Sequence, residues 1–203
     1  MDGKKELRKT MLKAQEALPE DYTARASAAI QKKALALPQY QRAKSVFLYI
    51  SMPKEPATLD ILKTALAEGK RVYVPKCQGR SEMLAVRIKA LSGLLPGAYG
   101  IPEPADCAET ITADKLDLTL VPCVCASKDG KRLGHGGGYY DRFLAGHAEN
   151  AFCLCFERML RDDIPMGDED VFLPCVITEN GVFVHRRSAP DTVLSYELLA
   201  AID

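Results

Sequence analysis

Leu7, Met11, Leu12 and Leu18 fall on or near one stripe at helical spacing, which predicts a helix over residues 4–17. Pro19-Glu-Asp21 breaks it and opens a second helix that runs to about Leu37, ahead of Pro38. The period then changes. Ser45-Val-Phe-Leu-Tyr-Ile50 is a short apolar run rich in β-formers and predicts a buried strand. A loop with two prolines leads to Thr58, placed to cap a helix over 59–68 that Gly69 terminates. Residues 71–74 predict a strand ending at Pro75, and residues 83–88 an edge strand or hairpin arm. Residues 92–114 are rich in Gly, Pro and Ala and read as an excursion over the surface. Strands over 116–122, 151–156, 175–178 and 182–184 follow, with a helix over 138–144 behind a run of glycines.

Apolar strands alternating with helices predict an α/β fold in three layers, α/β/α. Its sheet is mostly parallel and Rossmann-like, with helices on both faces. No segment reads as a linker, so the 203 residues predict a single domain over 1–203. In such sheets ligands sit beyond the carboxyl ends of the strands. The loops after Ile50, Val121 and Phe156 are therefore the places to expect a site.

Charge narrows the partners. The 27 basic and 27 acidic residues cancel, which leaves no electrostatic footprint for nucleic acid or an anionic membrane. Any phosphate must be held by a local cluster. The first residues are charged with no apolar stretch behind them, and no run approaches a bilayer's thickness. A cytoplasmic monomer acting on small molecules is expected. The seven cysteines include two Cys-x-Cys pairs, Cys123/Cys125 and Cys153/Cys155, in strand-like runs. A four-thiolate zinc site is the sharper reading, but structural zinc usually takes a wider spacing on turns. Buried core cysteines are the better reading.

The segment Arg132-Leu-Gly-His-Gly-Gly-Gly-Tyr-Tyr-Asp-Arg142 follows a strand and enters a helix. Its glycines let backbone approach a ligand closely, and its N–H groups can cradle phosphate oxygens. Asp141 suits a carboxylate contact to Mg²⁺, and Arg132 suits phosphate. No Gly-Lys-Ser/Thr follows, so this is not a Walker loop. His135-Gly-Gly-Gly138 imitates the oxyanion loop of lipases, but the chain contains no Gly-x-Ser-x-Gly nucleophile elbow. Lys4 and Arg8 stand four apart and share one helix face, which taken alone reads as a solvated surface.

The glycine segment resembles the signature of the 5-formyltetrahydrofolate cyclo-ligase family, Arg-Leu-Gly-x-Gly-x-Gly-Tyr-Tyr-Asp. Other landmarks of that family follow in order over almost the whole chain. They are Lys4-Lys-Glu-Leu-Arg8, Tyr49-Ile-Ser-Met52 with Glu55 and Thr58, Gly100-Ile-Pro-Glu-Pro104, Asp117-Leu118, Val121-Pro122, Phe156 and the segment 165–170. The resemblance implies conversion of 5-formyltetrahydrofolate to 5,10-methenyltetrahydrofolate with ATP and Mg²⁺, releasing ADP and phosphate. It implies that ATP is held by Lys4, Lys5, Arg8, Arg132, Leu133, Gly134, His135, Gly136, Gly137, Gly138, Tyr139 and Tyr140. Lys4, Arg8, Arg132 and Tyr140 would carry the chemistry. Ile50, Met52, Glu55 and Tyr140 would contact the folate, and Asp141 and Asp170 the metal. Where the family has Phe-Asp this chain has Ala126-Ser127, where it has Gln this chain has Met159, and where it has His this chain has Glu169. These departures are expected to alter the folate pocket. They leave open a ligase for another amide or formyl compound, and a binding protein that has kept the pocket.

Overall fold

A computed structural model describes residues 2–79, 82–97 and 100–185. Two helices open the chain, α1 (Asp2–Glu16) and α2 (Glu20–Ala36), with Pro19 at the break. Glu20 and Asp21 lie in the first turn of α2, where carboxylates oppose the positive helix end. Pro38 stops α2 but also starts a helix the pattern did not predict, α3 (Pro38–Arg42). Proline is preset for a first helical turn, where its missing N–H is not needed. There follow β1 (Ser45–Leu48), α4 (Leu59–Ala67), β2 (Arg71–Gln78), β3 (Glu82–Ile88), β4 (Leu94–Pro96), β5 (Pro102–Pro104), β6 (Thr110–Ile111), β7 (Leu118–Val121), β8 (Cys125–Ala126) and β9 (Arg132–Leu133). Then come α5 (Tyr139–Phe143), β10 (Ala151–Leu154), β11 (Cys175–Ile177) and β12 (Val182–Val184).

Eight strands form one sheet in the order β12-β11-β10-β7-β1-β2-β3-β6. Strands β11, β10, β7, β1 and β2 run parallel, while β12, β3 and β6 pair antiparallel toward the two edges. Every residue of β1, β7 and β10 is buried, as a sheet covered on both faces requires. Val46 and Leu48 join the core formed with Ile30 and Ala34 of α2 and Ile61, Leu62 and Ala65 of α4. Phe47, between them, turns to the other face, where the Phe143 ring of α5 lies 5.0 Å away, centroid to centroid. That alternation builds the three layers, and the α/β reading holds.

Local expectations fared unevenly. Gly69 ends α4 with φ +72°, as expected. Thr58 holds the N-cap position of α4, as expected, but its side chain makes no capping bond: it is fully buried and its hydroxyl donates to the Tyr49 carbonyl at 2.7 Å. Strand β2 does not end at Pro75 but continues to Gln78. Its pairing with β1 stops at Tyr73, so beyond that point β3 alone among the described strands pairs with it, and the absent proline N–H is not missed. Strand β3 is a hairpin arm, and β6 lies outside it. The excursion contains a small hairpin, β4 with β5, as well as β6. Cys123, Cys125, Cys153 and Cys155 are each at most 3% exposed, and burial pushes the Cys153 thiol well up, as befits core residues. Among the described residues, no helix is long and apolar enough to cross a membrane.

Candidate active site

The chain passes from β1 to β2 on one side and later sets β7 on the other, so the strand order reverses at β1. Loops leaving β1 and β7 diverge there and open a crevice beyond the strands' carboxyl ends. A cavity of about 490 Å³ occupies it, a volume suited to small-molecule ligands. The loop after β1 supplies Tyr49, Ile50, Met52 and Glu55, and the segment after β7 supplies Pro122 and residues 132–141. Lys4 and Arg8 of α1 form a third wall with Asp170. Pro75, Cys77, Met83, Ile101 and Glu103, from β2, β3, β5 and its approach, form the fourth. The loop after Phe156 reaches the cavity only at Asp170.

A two-residue-wide hairpin delivers the glycine segment. Ala126 pairs with Arg132 and Cys125 with Leu133. Ser127 fastens the turn, its N–H donating to Lys131 O at 2.9 Å and its hydroxyl accepting from Lys131 N at 3.0 Å. Arg132 then enters the site with its side chain only 4% exposed. Its Nη2 bonds Asp141 Oδ1 at 2.9 Å, its Nη1 donates to Pro122 O at 3.3 Å, and its guanidinium lies 5.6 Å from the Tyr140 ring centre. Its Nε is buried with no hydrogen-bond partner among the described residues. Such orphans concentrate at functional sites.

The glycines make room for cations. Gly136 has φ +103°, and a Cβ there would come within 3.3 Å of the Arg8 guanidinium carbon. Gly138 has φ +66° at the cap of α5, and a Cβ there would meet Arg142 at 2.5 Å. Arg8 lies along the loop and donates Nε to Gly134 O at 2.8 Å. Lys4 pairs with Asp170, whose carboxylate also takes the Gly167 N–H. Burial works to raise the Asp170 pKa, but hydrogen bonds from Lys4 and Gly167 outweigh it and hold the group below its usual value. Burial, and then the Glu55 carboxylate, raise the Tyr140 hydroxyl, which leaves it a neutral hydrogen-bond donor.

Glu55 has a side chain only 3% exposed, with Oε2 accepting the Met52 N–H at 2.8 Å and Oε1 lying 3.1 Å from His135 Nε2. It is thus anchored to its own loop while touching the glycine segment.

The cavity gathers Lys4, Arg8, Ile50, Met52, Glu55, all of residues 132–141 and Asp170. Lys5 stays outside: it is exposed, a helical step round from Lys4. Tyr49, Pro75, Cys77, Met83, Ile101, Glu103 and Pro122 also line the cavity, though sequence reasoning gave them no role. Alternation along residues 83–88 opposite 72–78, across Gly79, was the hairpin signal that could have found the β2–β3 wall. None of the departures from the family pattern lines the cavity. Ala126 and Ser127 are buried in the hairpin, Met159 is 2% exposed in the core, and Glu169 faces solvent.

A profile of the 5-formyltetrahydrofolate cyclo-ligase family matches residues 1–179. A Schizosaccharomyces pombe protein named "Probable 5-formyltetrahydrofolate cyclo-ligase" is 33% identical over 173 residues, covering 77% of this chain and 85% of the relative. The Mus musculus 5-formyltetrahydrofolate cyclo-ligase is 28% identical over 191 residues, covering 88% of this chain and 94% of its own. Among solved structures, Aquifex aeolicus 5,10-methenyltetrahydrofolate synthetase superposes with a TM-score of 0.81 at 27% identity, over 95% of this chain and 98% of that one. The chain carries that signature segment, that fold and that cavity together, and it belongs to the 5-formyltetrahydrofolate cyclo-ligase family.

Proposed function

We propose that this cavity, in a single domain, converts 5-formyltetrahydrofolate and ATP to 5,10-methenyltetrahydrofolate, ADP and phosphate. One observation carries the assignment of roles: cations and carboxylates from residues as far apart as Lys4, Glu55, Arg132 and Asp170 face one cavity. Lys4, Arg8 and Arg132 surround the glycine segment and complement a triphosphate. Glu55, a buried carboxyl group anchored to its own loop, complements the N–H donors of an amino-pyrimidine ring. Ile50, Met52 and Tyr140 supply its apolar flanks.

A formamide oxygen is a poor leaving group. Transfer of the γ-phosphoryl group to that oxygen turns it into phosphate, and the amine at position 10 of the folate then attacks the formyl carbon. The protein's part is alignment and charge neutralisation. Arg8 is already held against the Gly134 carbonyl and Arg132 against Pro122, so neither needs to be ordered when substrate arrives. Tyr140 donates a hydrogen bond to the transferring group.

Asp141 and Asp170 fit a magnesium ion. Among the described residues no three His, Cys, Asp or Glu side chains cluster to hold a metal unaided. Mg²⁺ suits this donor set, because it takes one or two carboxylates and completes its shell with water and phosphate oxygens. Held by Asp141 and Asp170, it would offset the negative charge of the phosphates. The test is the growth of methenyl absorbance when the protein is mixed with ATP, Mg²⁺ and 5-formyltetrahydrofolate. Absence of ATP-dependent turnover rejects the assignment.

A further inference from the structure

Ring closure leaves one proton to account for. The amine at position 10 carries a hydrogen, and in the methenyl product that nitrogen carries none. Most groups lining the cavity are ill suited to take it. Asp141 is paired with Arg132 and Asp170 with Lys4. Glu55 is engaged by Met52 N–H and His135, and it occupies His135 in turn. Burial raises the Tyr140 hydroxyl and, with Glu103 beside it, the Cys77 thiol, so both stay protonated.

Glu103 differs from all of these. It lines the cavity from β5, in a wall whose neighbours Pro75, Met83 and Ile101 are apolar. Among the described residues no Lys, Arg or His forms an ion pair with it. One oxygen accepts the Cys77 N–H at 3.3 Å, and the Cys77 thiol also bonds the carboxylate, so its partners are neutral donors. Its stem lies across Gly97, where a Cβ would come within 2.5 Å of its Cγ. The β4–β5 hairpin therefore holds in place a carboxylate that has no ion pair among the described residues.

We propose that Glu103 is the base of ring closure. As the position-10 nitrogen bonds the formyl carbon, its N–H proton passes to the Glu103 carboxylate. The bond from that carbon to the phosphorylated oxygen breaks, and phosphate leaves with the electron pair. Positive charge grows on the attacking nitrogen along this path, and a carboxylate facing it favours that state over the neutral amine. The inference rests on the cyclo-ligase assignment above.

The experiment compares single-turnover rates and KM for both substrates in the wild type, Glu103→Gln, Glu103→Ala and Gly97→Ala, with thermal melts to verify folding. Glu103→Gln is expected to slow ring closure about 100-fold, the scale of a lost general base, with the KM for ATP unchanged. Added formate or acetate is expected to restore part of the Glu103→Ala rate, which a purely structural role would not allow. Gly97→Ala, which displaces the carboxylate from outside the cavity, is expected to slow the step in the same sense. A Glu103→Gln rate within about threefold of wild type, a change confined to KM, or a Glu103→Ala variant that no carboxylate rescues would each overturn the role. A wild type without turnover would instead reject the cyclo-ligase assignment, so the two failures are distinct.

Discussion

Replacing Asp141 with asparagine removes the charge facing Arg132 and leaves the shape almost unchanged. Arg132 is 4% exposed and Asp141 21%, so water reaches only one member of the pair. Breaking a fully buried pair costs about 3–5 kcal/mol, because the survivor stays charged and desolvated. The partial access of water to Asp141 lowers this to roughly 2 kcal/mol. For a chain of this size that corresponds to a fall in Tm of about 4–8 °C. The assay is thermal unfolding by circular dichroism in the absence of nucleotide, run beside turnover. Arg132→Met combined with Asp141→Asn removes the stranded cation, so the double variant is expected to recover about 1–2 kcal/mol relative to additivity. Turnover should be lost in both, since Asp141 is placed on the metal and Arg132 on phosphate. A ligand-free Asp141→Asn protein melting within about 1 °C of wild type would show that the pair does not hold Arg132, and the reasoning would fail.

Other outcomes follow from the same geometry. Gly136→Ala forces a side chain into φ +103° and against Arg8, and is expected to raise the KM for ATP while sparing the KM for folate, at a stability cost of about 1–2 kcal/mol. Glu55→Gln weakens charge-assisted hydrogen bonds and is expected to raise the KM for 5-formyltetrahydrofolate about 10-fold or more in steady-state assays, with the KM for ATP unchanged. Burial works to raise the pKa of Asp117, but hydrogen bonds from Ser45 and Lys44 prevail and hold it below 3.8. The stability it lends is complete above that value and is lost as pH falls through the lower folded one. Urea titrations at falling pH should therefore show a decline below about pH 4 that Asp117→Asn flattens.

Much of this architecture is written locally. The period change near Ser45, the buried runs of β7 and β10, and Gly69 after α4 all obey short-range rules, and the structure follows them. Pro38 ended α2 as read, but its opening of α3 and the run of β2 through Pro75 were both missed for one reason: proline's local meaning depends on which neighbours need its N–H. Pro38 stood where a helix could begin, and Pro75 stood where β2 had already lost one neighbour. Stopping β2 at Pro75 hid Cys77, and reading 92–114 as a surface excursion hid Glu103, so a whole wall of the cavity went unseen. The glycine segment was legible because its composition is unusual. Lys4, Glu55 and Asp170 were legible only through family resemblance, since nothing local to a surface-like charge says which distant segment it will meet. The residues that depart from the family pattern were expected to alter the folate pocket, yet Ala126, Ser127 and Met159 lie in the hairpin and core behind it and Glu169 faces solvent.

The bond between Lys4 and Asp170 joins positions 166 apart in sequence. During synthesis the opening helix must wait for nearly the whole described chain before its cation finds a counterpart. Strands β1, β2, β3, β7 and β10 can therefore assemble first, with the charged rim clipped on afterwards as a late seal. A protein caught partway through refolding would be expected to show native-like sheet signals before it could protect bound nucleotide.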